Sequence, residues 1–322
     1  MYTEHLISEI IEPIHSLMQS FQLAFQREFE IIQAQYHLRV QPTALLKGKR
    51  LRPILFFLCQ GLVDSPRSDS VNTAVMIELV HTASLLHDDV IDESLKRRGE
   101  KTLNAIRGNH FSVLLGDYLI ARMMTLGQEM KNGGMHVLSQ AILMMTLAEI
   151  KQALCENQCL EEHVYMDIIE GKTGALFQAT TDLAANTVHA SKEVQLQLRE
   201  LGMRFGLAFQ IQDDILDYTG SSGTLGKPIH QDLLKGQFTL PFILAFEELS
   251  VPERESLFQQ LSNNELSHEH LVQLVKNQGI EKTKERLLKY SRQALKLLYQ
   301  FPENRYKTAL ENLFHLNMER HL

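Results

Sequence analysis

Two stretches of this chain place carboxylates at a spacing that suits metal and phosphate chemistry. Residues 84–99 read SLLHDDVIDESLKRRG and residues 208–220 read AFQIQDDILDYTG, so the D-D-x-x-D spacing occurs twice, each time among apolar residues. On a helix, His81, Ser84, Leu85, Asp88 and Asp92 recur every three or four positions and share one face, and Gln210, Asp213, Asp214 and Asp217 do the same. A single cluster of this kind reads equally well as a solvated acidic face. Two with one spacing call for cations, because carboxylates buried at this density are costly without them. Oxygen-only ligands select hard ions, and Mg²⁺ is typically held through one or two carboxylates, several waters and substrate phosphates. Calcium fits less well: neither stretch contains the glycine-bearing D-x-D-x-D-G loop of an EF-hand.

Basic residues flank both clusters. Arg97 and Arg98 follow the first, and KGKRLRP (47–53) precedes it with Lys49 and Arg52. GKTGA (171–175) supplies Lys172 and Thr173, and LGKPIHQDLLKGQFTLP (225–241) supplies Lys227 and Lys235. Arginine forks grip phosphate oxygens bidentately, while lysine supplies a point charge. Taken singly, each lysine is ordinary surface charge; only their place beside the aspartates gives them meaning. GKTGA is not a phosphate loop, since the G-x-x-x-x-G-K-[ST] spacing is absent and no strand precedes it. No Ser-His or Cys-His constellation suggests a nucleophile.

The elements that must hold these groups read as helices. The eight prolines leave residues 67–227 free of any, and that stretch is rich in Ala, Leu, Met, Gln and Glu. Breaks are expected at SPRSDS (65), RGNH (107), KNGG (131), HASKE (189) and TGSSGTLGKP (219). No alternating strand pattern of useful length appears. The expectation is one all-α domain over residues 1–322, with roughly ten or more helices, too large for a four-helix bundle. Three cysteines (Cys59, Cys155 and Cys159) make no disulfide framework and suit reduced thiols. No uncharged apolar run approaches 18 residues, so no membrane span is expected. The start MYTEHLISEIIEPIHSL lacks the basic and apolar regions of a signal peptide. A formal charge of -7 argues against nucleic acid as a partner, and the expected location is cytoplasmic.

Taken together, GKRLRP, the two D-D-x-x-D motifs, RRG, GKT and FQIQDDILDYTG resemble the trans-polyprenyl diphosphate synthases over about residues 45–245, with a leaning to the long-chain, octaprenyl and heptaprenyl type. The resemblance implies the isoprenoid synthase fold, a single-domain orthogonal bundle of helices around a deep central cavity. It implies head-to-tail, all-trans condensation of isopentenyl diphosphate onto an allylic prenyl diphosphate such as farnesyl or geranylgeranyl diphosphate, for isoprenoid or quinone side-chain synthesis. It implies three Mg²⁺ ions per site, with Asp88 and Asp92 as ligands of two and Asp213 of the third. Asp89, Asp214 and Asp217 would support these ions through water or from behind the ligands, with Asp217 counted among the metal-binding residues. Arg97, Lys172 and Lys227 would grip the allylic diphosphate. Lys49, Arg52, His81 and Arg98 would bind isopentenyl diphosphate, while Thr173 and Gln210 would present polar oxygens to the developing allylic cation. A homodimer is implied, with transient membrane contact for product release. Two departures stand out: Lys47 replaces a frequent glycine, and Gln237 replaces a frequent diphosphate-binding lysine, for which Lys235 is a candidate substitute.

In this family, bulk four or five positions before the first aspartate stops the growing chain. Here those positions hold Ser84 and Ala83, both small. A helical turn rises about 5.4 Å, roughly one extended isoprene unit, so the expectation is a product of about seven to ten units. Leu119, Met123 and Met124 are candidates for a deeper floor, although each reads first as ordinary core. The alternatives are a short-chain geranylgeranyl or farnesyl diphosphate synthase, a subunit of a heteromeric synthase, and a class I terpene cyclase. A cyclase would need no second diphosphate site.

Overall fold

Strong helix formers punctuated by Gly, Ser and Asn give an almost wholly helical chain. The computed structural model describes residues 2–36, 48–97, 99–130, 133–155, 161–220, 236–262 and 268–319. Helices α1 (Tyr2–Ile11) and α2 (His15–Tyr36) are followed by α3 (Leu51–Val63) and α4 (Val71–Ile91). Then come α5 (Leu103–Arg107), α6 (Asn109–Leu126), α7 (Gly134–Leu154), α8 (Glu162–Ile169), α9 (Ala175–Thr187) and α10 (Lys192–Thr219). The chain continues through α11 (Leu240–Glu247), α12 (Val251–Ser262), α13 (His268–Leu274), α14 (Ile280–Leu298) and α15 (Arg305–Met318).

The breaks fall where the punctuation stands. Gly108, between α5 and α6, and Gly133, before α7, take positive φ of 84° and 74°, which a side chain would resist. Ser191 caps α10, its hydroxyl accepting from the Val194 N–H.

The two helices that carry the acid clusters lie at the centre. Between Thr73 and Ala83, nearly every residue of α4 is buried, because α2, α3, α6 and α9 surround it. Helix α10 packs along α9 on one side and α14 on the other. Its first half, through Leu198, Leu201 and Phe205, joins an apolar cluster with α1–α4, α6 and α15. Its second half, through Leu207, Ile211 and Ile215, joins another with α8, α11 and α14. The Phe205 ring stacks on Phe314 of α15 at 4.5 Å and meets Phe177 of α9 edge-on at 5.4 Å, which ties the C-terminal helix to the centre.

Three features depart from the sequence expectation. A two-stranded hairpin, β1 (Lys96–Arg97) with β2 (Glu100–Lys101), follows the first acid cluster and turns through Gly99 at φ 77°. It is too short to leave an alternating pattern. The chain also widens into π-helical turns at Glu170–Gly174 and Val275–Gly279. Finally, α7 is long and apolar enough to cross a membrane by length and composition. Glu149 and Lys151 interrupt the uncharged run, which is why the sequence rule passed over it.

Candidate active site

Asp88 lies in the last turn of α4, and Asp92 caps that helix, its N–H donating to the Asp88 carbonyl at 2.7 Å. The shared face predicted from spacing therefore runs one residue past the helix end. Asp213, Asp214 and Asp217 lie in the last two turns of α10. A cavity of about 830 Å³ opens between the two helix ends. From the N-terminal half it is lined by Lys49, Arg52, His81, Ser84, Asp88, Asp92 and Arg97. From the C-terminal half it is lined by Lys172, Thr173, Gln210, Asp213, Asp214, Asp217 and Gln237. Residues scattered over almost two hundred positions thus meet in one space.

Some expected residues stand elsewhere. Asp89 is buried and does not line the cavity: it faces the hairpin and receives Arg97, whose Nε donates to Oδ1 at 2.8 Å. It is an anchor for Arg97. Ala83 is fully buried in the core, so only Ser84 of the predicted chain-length pair is at the wall. Leu119 and Met123 are core residues, and Met124, expected to point inward, is 55% exposed, because it sits on the outer face of α6. Arg98, Lys227 and Lys235, like Lys47 and Cys159, lie outside the described residues.

Lys172 and Thr173 project from the π-helical turn Glu170–Gly174, a wide turn that arises where helices are bent to functional geometry. Gly171 makes room for it: a Cβ there would stand 2.6 Å from the Ala148 Cβ and 2.9 Å from the Met144 carbonyl oxygen of α7. That close approach brings Glu149 and Gln152 of α7 to Lys172, whose Nζ donates to Glu149 Oε1 at 2.7 Å and Gln152 Oε1 at 3.3 Å. Thr173 Oγ1 donates to Gln210 Oε1 at 2.7 Å, Gln210 Nε2 donates to Asp214 Oδ1 at 3.0 Å, and the Tyr165 hydroxyl donates to Asp214 Oδ2. Sequence reasoning missed Glu149, Gln152 and Tyr165. A lone Glu in the apolar run of α7 was the one available signal.

The charges are finely opposed. Burial pushes the Asp88 carboxyl up to about 7; Lys172 and Arg97 pull it down, and Glu149 and Asp92 add to the rise. Burial works against the Lys172 ammonium, but Glu149 and Asp88 outweigh it and raise its pKa. Burial lowers Arg52 to about 10, against the pull of Glu78 and Asp213, and its guanidinium lies 4.4 Å over the Phe177 ring.

The donors fit a hard cation. All the acid side chains in the cavity offer oxygen only, and among the described residues no three of His, Cys, Asp or Glu converge to hold an ion by themselves. Mg²⁺ suits such a set, because water and phosphate oxygens complete its shell. A cation would also stabilise the charged form of Asp88, which burial first, and then Glu149 and Asp92, oppose.

The Polyprenyl synthetase family model matches residues 35–278. The chain is 37% identical over 280 residues to the all-trans-nonaprenyl-diphosphate synthase (geranyl-diphosphate specific) of Rhodobacter capsulatus, covering 85% of each chain. Its fold superposes on a decaprenyl diphosphate synthase from the same organism with a TM-score of 0.87 and 30% identity, covering 97% of this chain and 98% of that one. It also superposes on the polyprenyl synthase from Caulobacter crescentus CB15 complexed with calcium and isoprenyl diphosphate, with a TM-score of 0.86, 30% identity and 98% of each chain covered. The helices enclosing the two acid clusters form the all-α isoprenoid synthase fold that these enzymes share. By this match along most of its length, the chain belongs to the polyprenyl synthetase family.

Proposed function

We propose that this chain is a trans-prenyltransferase that adds isopentenyl diphosphate head-to-tail to an allylic prenyl diphosphate and builds a long all-trans product of about seven to ten isoprene units. The observation that carries the reading is one cavity holding both acid clusters and two sets of cationic side chains, enough for two diphosphates. The wall one turn below Asp88 is Ser84, which leaves a growing chain room. Relatives named for nonaprenyl and decaprenyl products support the long-chain reading over a short-chain one.

The reaction needs charge placement more than a nucleophile. As the allylic C–O bond ionises, the departing diphosphate gains negative charge, and cations fixed in advance lower the barrier. Arg97, held by Asp89, and Lys172, held by Glu149 and Gln152, are fixed in this way. Mg²⁺, when bound, supplies Lewis-acid stabilisation to the diphosphate oxygens. Asp88, Asp92, Asp213 and Asp217 would hold it, with three ions per site. The Tyr165–Asp214–Gln210–Thr173 chain orients the Gln210 carbonyl, whose negative end suits the allylic cation. Lys49, Arg52 and His81 position the diphosphate of isopentenyl diphosphate so that its double bond faces that cation. The proton lost at the end goes to the departed diphosphate.

We also propose a single domain over residues 1–322, supported by α10 serving both apolar clusters, and a homodimer. Leu143, Leu147, Ile150 and Leu154 are exposed along one face of α7 at spacings of four, three and four, the pattern of a seam between paired helices.

Product analysis tests the activity. The purified chain is incubated with Mg²⁺, farnesyl diphosphate and labelled isopentenyl diphosphate, and the dephosphorylated alcohols are separated by length. A ladder ending at one long species is expected. Absence of incorporation by the folded chain would overturn the reading, and turnover of the allylic substrate alone would indicate a cyclase.

A further inference from the structure

Asn317, in the last turn of α15, is 5% exposed, lines the cavity, and has no hydrogen-bond partner among the described residues at either Oδ1 or Nδ2. An amide withdrawn from water with both ends unpaired destabilises a fold, and each such group in a native structure calls for an explanation, a role at a site among them. Its cavity-lining neighbours on α15, Leu313 and Leu316, are apolar. Leucine at 317 would continue their face without that cost.

The packing of α15 on α3 says which part of the cavity Asn317 serves. Asn304 Nδ2 donates to the Gly61 carbonyl at 3.1 Å, and a Cβ on Gly61 would stand 2.2 Å from the Tyr306 ring. The start of α15 therefore meets the end of α3, and the two helices pack along one another, so they run antiparallel. Seven residues along each brings Leu313 level with Ile54, and both line the cavity. Eleven residues along each, about 16 Å at 1.5 Å per residue, brings Asn317 level with Arg50. Arg50 stands between Lys49 and Arg52, at the turn that opens α3.

Resting on the function proposed above, we infer that Asn317 is a further binding residue for the diphosphate of isopentenyl diphosphate. Its Nδ2 donates to a phosphate oxygen left over after Lys49, Arg52 and His81 have bound. A neutral donor suits this place, since it adds a hydrogen bond without further crowding three cationic or protonatable groups.

Asn317→Leu separates this role from that of a merely tolerated buried amide. Assayed with Mg²⁺ and farnesyl diphosphate, the variant should raise KM for isopentenyl diphosphate about tenfold or more, while KM for farnesyl diphosphate and the thermal midpoint hold or improve. Asn317→Asp should raise the same KM further, because it sets a carboxylate against the diphosphate. An unchanged KM for isopentenyl diphosphate in Asn317→Leu, with a raised thermal midpoint, would overturn the inference. If the leucine variant fails to fold, Asn317→Ala gives the same comparison. A readout that needs no turnover is the thermal shift produced by isopentenyl diphosphate alone: it should shrink in Asn317→Ala, and an equal shift in both proteins refutes the assignment. Failure of the proposed reaction shows up separately, as no incorporation by the unaltered chain.

Discussion

Arg50 Nη1 donates to Glu78 Oε1 at 2.7 Å, and the two side chains are only 8% and 4% exposed. The Arg50 guanidinium also lies 4.6 Å over the Phe25 ring, and its backbone is left-handed at φ 51°. The pair fastens the turn carrying Lys49 and Arg52 to α4, one helical turn before His81, so it joins two parts of the proposed isopentenyl diphosphate site. Removing one partner strands a buried charge. Glu78→Gln should lower unfolding free energy in urea by about 3–5 kcal/mol, and the paired change Arg50→Met with Glu78→Leu should recover most of it. A double variant as unstable as the single one would show that the two charges are not coupled.

Asp88 and Asp213 line one cavity from the last turns of α4 and α10. Asp88→Ala or Asp213→Ala should reduce the prenyl transfer rate by about 10²–10³-fold or more, the cost of losing one fixed element of electrostatic stabilisation. Asp88→Ala should also leave the metal-free thermal midpoint unchanged or raised, because burial and like charge already oppose that carboxylate. Near-native turnover in both variants would remove the aspartates from the mechanism.

Arg286 of α14 holds Glu162 of α8 through two bonds, Nε to Oε1 at 2.7 Å and Nη2 to Oε2 at 2.9 Å. The bond from Arg286 keeps the Glu162 pKa below its ordinary value of 4.5. A carboxylate depressed in the folded state adds stability above its unfolded pKa and loses it as pH falls through the folded one. Glu162→Gln should therefore cost up to about 1 kcal/mol at pH 7, since both groups are partly exposed, and less once the pH has fallen below the ordinary carboxylate range. Urea unfolding at pH 7 and below that range gives the comparison. An equal cost at both would mean that charge plays no part in this contact.

The local features of the site were legible because they follow helical periodicity. His81, Ser84 and Asp88 line the cavity as their spacing on α4 predicts, and Gln210, Asp213, Asp214 and Asp217 do so on α10. Where periodicity stopped, the reading stopped. Asp89 lies about 100° around the helix from Asp88 and meets an arginine brought back by a short hairpin that no propensity announced. The Lys172–Glu149 pair depends on a π-helical turn and a missing Cβ at Gly171. Arg50 and Glu78, or α15 and α3, meet only through tertiary packing, which leaves no periodic trace in either partner.

Ser84 reaches the cavity wall while Ala83, its neighbour, points into the core, so the two positions should respond differently to bulk. Ser84→Phe places a ring one turn below Asp88, where it blocks the path of the growing chain. The expected outcome is a product shortened by several isoprene units, with the rate of the first condensation largely kept. Ala83→Phe instead forces a ring into a filled core, and such overpacking destabilises by about 1–3 kcal/mol or more. It should lower the thermal midpoint, and any shortening of product would come from displaced neighbours. Separation of the dephosphorylated products beside a melting curve distinguishes the two effects. If Ser84→Phe yields the unaltered product length, the tunnel does not pass that face of α4, and the small residue there does not set the length of the product.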